Sequence, residues 1–381
     1  MIISYSEYDN DKEIADFFTT KTSAARSACD VRAIELVGGS VVPVEVQGAC
    51  SYSVYAGPDL EYVVQFRLKS LKLNTEITEL ARKIYGALAP EVSFEGELGD
   101  DIEEKEPLYI YVMRRVGGIT HLDFILAHGF PENSQENFTR RKTFMVDIAR
   151  FFAISWKTPQ KVDSAYRDQL GQAYTKELRL LLSALPNRFH AIIEHCIRSM
   201  DDIMSLPMVL IHQDFSTCNI MVDATSCHLV GVIDWAEAEI CPFGLNLGTL
   251  QAFTGKLHLR DGWTRFQDYA DLQDTFWDVF TKEVGGLTEA KVQAIKLARV
   301  TGLLLSDGFT RRLANETPAV PIGDDEQGRY NMLSLDGFLI NPATRFEDLD
   351  ATRHHFAALE QSQSCLRTWK HFSRCWRRKH D

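Results

Sequence analysis

The chain has 381 residues, 45% of them hydrophobic, and a formal net charge of −12. That is material for two lobes with sizeable cores, and the acidity argues against non-specific binding to nucleic acid. No apolar run of about eighteen residues and no signal peptide is present, so neither a membrane span nor a leader is expected. The eight cysteines are scattered without a C-x-x-C pair, which fits reduced thiols in a cytoplasmic protein and disfavours a zinc site.

In chain order, residues 8–28 read as an amphipathic helix with Ile14, Phe17 and Phe18 among its apolar positions. Val31–Val37 and Val41–Gln47 read as strands, Gly48–Gly57 as a turn between strands, and Tyr62–Leu68 as a strand rich in β formers. Residues 73–88 form a helix with an Asn or Thr cap and Gly86 as its stop, and Leu108–Met113 is a further strand ending near Gly117 and Gly118. Helices follow over 136–156, 163–183 and 187–204, the first with Phe144, Ile148, Phe151, Phe152 and Ile154 on its apolar face and Pro159 after it. Beyond a strand-rich stretch, 243–254, 264–283 and 288–316 read as helical, 317–328 as a loop, and 347–378 as a closing helix whose basic end, Arg374–His380, reads as a solvated terminus.

The informative stretch lies between these helical blocks. Val209, Leu210 and Ile211 form a buried strand leading to His212, Gln213 and Asp214; Asn219–Val222 and Leu229–Ile233 form a hairpin around a turn at Asp223–Ser226. The hairpin brings Asn219 near Asp234, with Asp214 close by. One carboxylate to orient an attacking hydroxyl, plus an Asn and an Asp to hold Mg²⁺ on a nucleoside triphosphate, is what phosphoryl transfer requires.

His212, Asp214 and Asn219 match H-x-D-x-x-x-x-N, and Ile233, Asp234 and Trp235 match a following I-D-W. Paired in this order, the motifs resemble the catalytic core of the aminoglycoside phosphotransferase and choline kinase branch of the protein-kinase-like superfamily. The small-lobe wording Q-G-x-x-S-Y-x-V and L-A-x-x-I-Y-G further resembles a set of fungal phosphotransferase-like proteins, so that the likeness spans residues 40–250. The resemblance implies an α+β, bilobal kinase-like fold, with a small β-rich N-lobe over residues 1–115 and a large, mostly helical C-lobe over residues 116–381. It implies ATP and Mg²⁺, with Asp214 as the catalytic carboxylate and Asn219 and Asp234 as metal ligands.

The same resemblance assigns the upper part of a nucleotide site. Gly48, Ser51 and Ser53 would cover the phosphates, although Gly48–Gly57 also reads as an ordinary hairpin turn. Gln65 stands where relatives carry the cation that pairs with the phosphates, and Arg67, two residues on and on the same face of the strand, is the alternative. Glu76 matches the partner glutamate, its other reading being a first-turn residue that favours the helix dipole. Backbone near Met113 and Arg114 would read the adenine edge. His212 and Gln213 would support the loop. Leu245 falls where relatives place a second supporting Asp, leaving Asn246 as the nearest polar replacement.

Pro242 follows Trp235 by only seven positions, which leaves no room for a long activation segment and favours a small hydroxylated acceptor over a protein. The acidic balance suits a cationic acceptor such as an amino sugar or a choline-like amine. Gln65 and Leu245 keep two alternatives open: a weak or inactive pseudokinase that binds a nucleotide or metabolite, and a kinase-like fold turned to secondary metabolism. The pattern carries no information on oligomeric state.

Overall fold

The computed structural model describes residues 8–310 and 318–347. Two helices lead the chain, α1 (Asn10–Thr20) and α2 (Arg26–Val37). They pack on an antiparallel sheet of β1 (Ser40–Pro43), β2 (Ser51–Gly57), β3 (Tyr62–Leu68), β4 (Val92–Leu98) and β5 (Leu108–Arg114), in the order β1-β2-β3-β5-β4. Helix α3 (Thr75–Tyr85) lies between β3 and β4 in sequence, with the Asn74 side chain accepting from the amides of Glu76 and Ile77 as its cap.

Three expectations for this region need correction. The helix expected over 8–28 breaks after Thr20, because Thr22 and Ser23 turn away to bond Glu106 and Asp100 between β4 and β5. The segment 31–37 is helical, not a strand. Cys29 and Ala33, four residues apart and both 0% exposed, form a narrow stripe of small residues against the sheet, and this packing overrides β propensity. Tyr52 of β2 secures the contact by donating its hydroxyl to Asp30 at 2.8 Å. Residues 51–57 are strand, not turn: Tyr52, Val54 and Ala56 alternate into the core, and the turn is the preceding loop, residues 44–50. Strand β4 was not expected at all; its glutamates and its bulge at Phe94/Gly96 mark it as an edge strand.

After β5 the chain crosses into a helical region. Gly118, at φ 87°, lies so close to the next layer that a Cβ there would stand 2.3 Å from the Val222 carbonyl oxygen. Then come β6 (Ile119–Thr120), α4 (His121–His128), α5 (Gln135–Lys157), α6 (Ser164–Ala184), α7 (His190–Arg198) and α8 (Met200–Met204). The expected helix over 187–204 is therefore two short ones. Thr120, Ser134 and Asp163 cap α4, α5 and α6, each accepting from an amide three residues on; such caps are worth about 1 kcal/mol each.

Strand β7 (Met208–Ile211) pairs antiparallel with β10 (Glu239–Pro242), and β8 (Ile220–Val222) pairs with both β6 and β9 (Leu229–Val232). The stretch 243–254, expected to be helical throughout, is a 3-10 segment (Leu245–Thr249) running into the short α9 (Leu250–Phe253). The expected helix over 264–283 loses its start to a hairpin of β11 (Gly255–His258) and β12 (Gly262–Arg265), and α10 spans Tyr269–Glu283. Helix α11 (Glu289–Asp307) ends before the expected 316, residues 318–328 are irregular, and α12 (Arg329–Leu335) runs into a π-helical turn to Ile340. The expected helix over 347–378 and its basic end lie outside the described residues, apart from Glu347 in a turn. Among the described residues, no helix is long and apolar enough to cross a membrane.

Two hydrophobic clusters result. One joins α1 and α2 to the five-stranded sheet through Ile14, Phe17, Cys29, Tyr52, Phe66 and Ile110. The other is built on the expected apolar face of α5 (Phe144, Ile148, Phe151, Phe152) packed against Leu272, Phe276 and Phe280 of α10. Ala81 and Tyr85 of α3 belong to the second cluster, so the helix that follows β3 is packed on the helical region beneath the sheet.

Candidate active site

The loop between β7 and β8 is held by its own polar groups. Asn219 donates through Nδ2 to the Asp214 backbone oxygen at 2.9 Å and to Asp214 Oδ2 at 2.8 Å. The Ser216 amide donates to the Asp214 carbonyl and the Asn219 amide to that of Ser216. The Ile233 amide donates to the Asn219 carbonyl at 2.9 Å, which brings Asp234 to the same edge. Asp234 has left-handed backbone, φ 58° and ψ 66°, a conformation that costs a non-glycine residue about 1–2 kcal/mol. It ends β9 abruptly, leaving Asp234 exposed while Trp235 turns into the core and donates its Nε1–H to the Val232 carbonyl.

Beneath the loop, His212 is buried and its Nε2–H donates to the Ile233 carbonyl at 2.8 Å, while Nδ1 has no partner. Burial lowers its pKa, outweighing the Ile233 bond and the nearby carboxylates. A neutral ring with one bond to backbone is a structural pin joining the two motifs. Asn246 donates to the His212 carbonyl at 3.4 Å, and Thr249 Oγ1 donates to that of Phe215 at 2.5 Å. Leu245 is buried and apolar. Gln213 donates to Glu239 at the start of β10. Tyr85 of α3 donates to the Leu210 carbonyl at 3.2 Å and packs on Phe151 and Trp235, with ring centroids 4.4 and 5.0 Å away. Tyr85, Thr249 and Glu239 were not anticipated as parts of this assembly. Tyr85 falls within L-A-x-x-I-Y-G, but nothing in that string shows that its ring crosses into the other core.

The upper wall is looser. Gly48 lies in the exposed loop before β2 without a positive φ. Ser51 and Ser53 are buried on β2, opposite Arg67 and Gln65 of β3 in register. Ser53 Oγ accepts from Gln65 at 3.4 Å, and the Ser53 backbone is bonded by the Gln47 side chain. Arg67 is buried and its Nε donates to the Leu71 carbonyl. Cys50 connects this wall to the lower one: burial pushes its thiol up, Arg67 pulls it down and Asp234 pushes it further up, so the loop end lies within electrostatic reach of both. Glu76 is exposed in the first turn of α3 and makes no ion pair among the described residues. Met113 is half-buried on β5, opposite Val63 and Val92, just before the crossing segment.

The donor set fits a hard divalent cation. Asn219 spends its NH₂ group on Asp214, and its side-chain Oδ1 accepts no hydrogen bond among the described residues; the exposed Asp234 carboxylate accepts none either. Two oxygen donors at one edge suit Mg²⁺ carried on phosphates, which complete its shell. Among the described residues, no cluster of three His, Cys, Asp or Glu side chains would hold a metal unaided.

Comparisons with known proteins bear on the fold and the family. No curated protein sequence matches the chain. Among solved structures, a candidate aminoglycoside phosphotransferase from Ralstonia eutropha JMP134 superposes with a TM-score of 0.51 at 14% identity, covering 82% of this chain and 96% of its own; at that identity the likeness shows the fold. Macrolide 2'-phosphotransferase MphH from Brachybacterium faecium is similar at a TM-score of 0.47 and 13% identity, over 74% of this chain and 90% of its own. A family model described as the phosphotransferase enzyme family matches residues 51–273, more than half of the chain, from β2 through the loop between β7 and β8 into α10. The bilobal α+β architecture is thus that of the kinase-like phosphotransferases, and the chain belongs to the phosphotransferase enzyme family.

Proposed function

We propose that the protein transfers the γ-phosphoryl group of ATP to a hydroxyl of a small molecule. The observation that carries this reading is the 2.8 Å bond from Asn219 to Asp214, together with the backbone bond from Ile233 to Asn219. One Asn thereby fixes the orientation of the catalytic carboxylate, and its backbone is tied to the residue that precedes Asp234. The acceptor oxygen attacks the γ-phosphorus in line, the bond to the β,γ-bridging oxygen breaks, ADP leaves, and the acceptor proton passes to Asp214. Mg²⁺, when held by Asn219 and Asp234, offsets charge on the phosphate oxygens. Arg67 and the loop ending at Cys50 face the phosphates from above, with Gln65 as the alternative polar contact, and backbone near Met113 lies at the adenine edge.

The short run from Trp235 to Pro242 and the acidic balance support a small, hydroxylated and cationic acceptor taken up by residues 116–381, with residues 1–115 covering the nucleotide. The test is nucleotide consumption, ATP against GTP, with a panel of amino sugars, choline-like amines and neutral polyols, and with Asp214→Asn and Asp234→Ala as controls. The reading requires acceptor-dependent consumption that both substitutions abolish. A melting temperature that rises with nucleotide only when Mg²⁺ is present supports the metal assignment, and the absence of any Mg²⁺-dependent rise favours a non-catalytic binder.

A further inference from the structure

We infer that Gln213 and Glu239 form a brace that positions Asp214 in addition to its bond with Asn219. The inference rests on the phosphotransferase reading above and adds to it Glu239, a positioning partner outside the two motifs.

The backbone ladder between β7 and β10 ends with Glu239 opposite Ile211. Beyond that pair the chains diverge, and no ladder bond reaches the catalytic residue. The Gln213 side chain continues the connection past the end of the ladder: its Nε2 donates to Glu239 Oε1 and lies 3.9 Å from Cys241 Sγ. Gln213 directly precedes Asp214, and Glu239 comes five residues after Asp234. One side-chain bond therefore ties the residue next to the catalytic carboxylate to the strand that issues from the metal-ligand turn. Asn219 bonds the Asp214 carboxylate directly, while Gln213 and His212, the two residues before it, are tied to Glu239 and Ile233.

The setting of Glu239 argues that this bond is not merely a surface contact. Both side chains reach solvent, where an amide–carboxylate bond adds little to stability. The carboxylate is nevertheless partly shielded by neighbouring protein. That burial, with a further push from Glu177 of α6, raises its pKa, against the lowering effect of the Gln213 bond. The other titratable groups that sense it are Tyr166 and Tyr174 of α6 and Cys241 of β10. Among the described residues none of these supplies a positive charge, and the one side-chain hydrogen bond to Glu239 is that from Gln213.

The test has two readouts. The first is Mg²⁺-ATP turnover with water or the best alcohol as acceptor. Glu239→Ala and Gln213→Leu are expected to lower kcat about ten- to a hundred-fold, the range for a misplaced reacting group, with KM for ATP unchanged. The double exchange Gln213→Glu with Glu239→Gln, which keeps one N–H···O bond with donor and acceptor reversed, is expected to restore most of the loss. The second readout needs no turnover: amide hydrogen exchange over residues 213–219 is expected to speed up several-fold in Glu239→Ala and return in the double exchange. Unchanged exchange in Glu239→Ala, or a double exchange no better than the single variants, overturns the brace. Wild-type protein without turnover overturns the phosphotransferase reading instead, and the exchange rates still decide whether the brace exists.

Discussion

The two walls of the cleft are built differently. In the lower wall, from Leu210 to Trp235, the side chains of Asp214 and Asn219 are bonded to each other, His212 is pinned to Ile233, and Trp235 to Val232. In the upper wall, Gln65 reaches Ser53 at 3.4 Å, Arg67 is tied to a backbone carbonyl, and Glu76 stands in solvent. The lower wall is arranged before any substrate arrives, whereas the upper wall keeps polar groups whose partners would come with the nucleotide. Preorganised groups act on the transition state, and groups completed on binding act on affinity. Changes in the lower wall should therefore appear in kcat, and changes in the upper wall in KM.

The largest expected effect tests this division most severely. Asp214→Asn should lower turnover about 10²- to 10⁴-fold, the usual contribution of a positioned base, with little change in KM for ATP. A shift in KM alone would put Asp214 among the binding groups and erase the contrast between the walls.

Tyr85→Ala should cost about 3–5 kcal/mol in denaturant unfolding, as for other large aromatic truncations, because the ring is 5% exposed between Phe151 and Trp235. Tyr85→Phe removes only the bond to Leu210 and should cost about 1 kcal/mol. Equal costs for the two would mean that the lower wall depends on the hydroxyl more than on packing.

The pH dependence of stability follows from buried histidines below the cleft. Burial lowers His212, and lowers His121 from 6.5 to about 3. A base with a depressed pKa binds fewer protons folded than unfolded. Its contribution is present above the unfolded value and is lost as pH falls from 6.5 towards 3. His121→Phe, which keeps the stacking on Phe144, should flatten that acid limb in melting curves. An unchanged limb would assign acid sensitivity to other groups.

The smallest effects belong to the upper wall. Arg67→Ala should raise the nucleotide Kd about tenfold, as for loss of a charge-assisted contact, with a smaller change for Gln65→Ala. The reverse order would transfer the phosphate contact to Gln65 and leave Arg67 as a strut for Leu71.

The same contrast governs how much of the molecule could be read from its residues. The segment from Leu210 to Trp235 is legible because local rules suffice there: an apolar strand, a hairpin with a polar turn, and fixed spacings that bring Asn219 to Asp214 and Asp234. The upper wall obscures its structure. Val31–Val37 has the composition of a strand, but its helix is decided by Cys29 and Ala33 meeting the sheet. Ser51 and Ser53 look like turn residues, yet they alternate with Tyr52 and Val54 in a buried strand. Glu239 and Thr249 bond the loop between β7 and β8 through contacts between distant segments, which no local pattern encodes. Thr264 and Arg265, expected to begin a helix, end β12 instead, and nothing in their local sequence separates the two states.

The packing of α3 has a mechanical consequence. Because Ala81 and Tyr85 sit in the lower core, this helix should travel with the floor of the cleft when the five-stranded sheet rocks above it. The sheet then joins the floor by three short crossings: the segment before Asn74, the segment after Tyr85, and the stretch leading to Ile119. Gly86, at φ 57°, begins the second, and Gly118, at φ 87°, ends the third. Two of the three pivots are thus built on residues that accept backbone angles closed to most others, and widening of the cleft would be absorbed there, leaving Asp214, Asn219 and Asp234 at rest relative to one another.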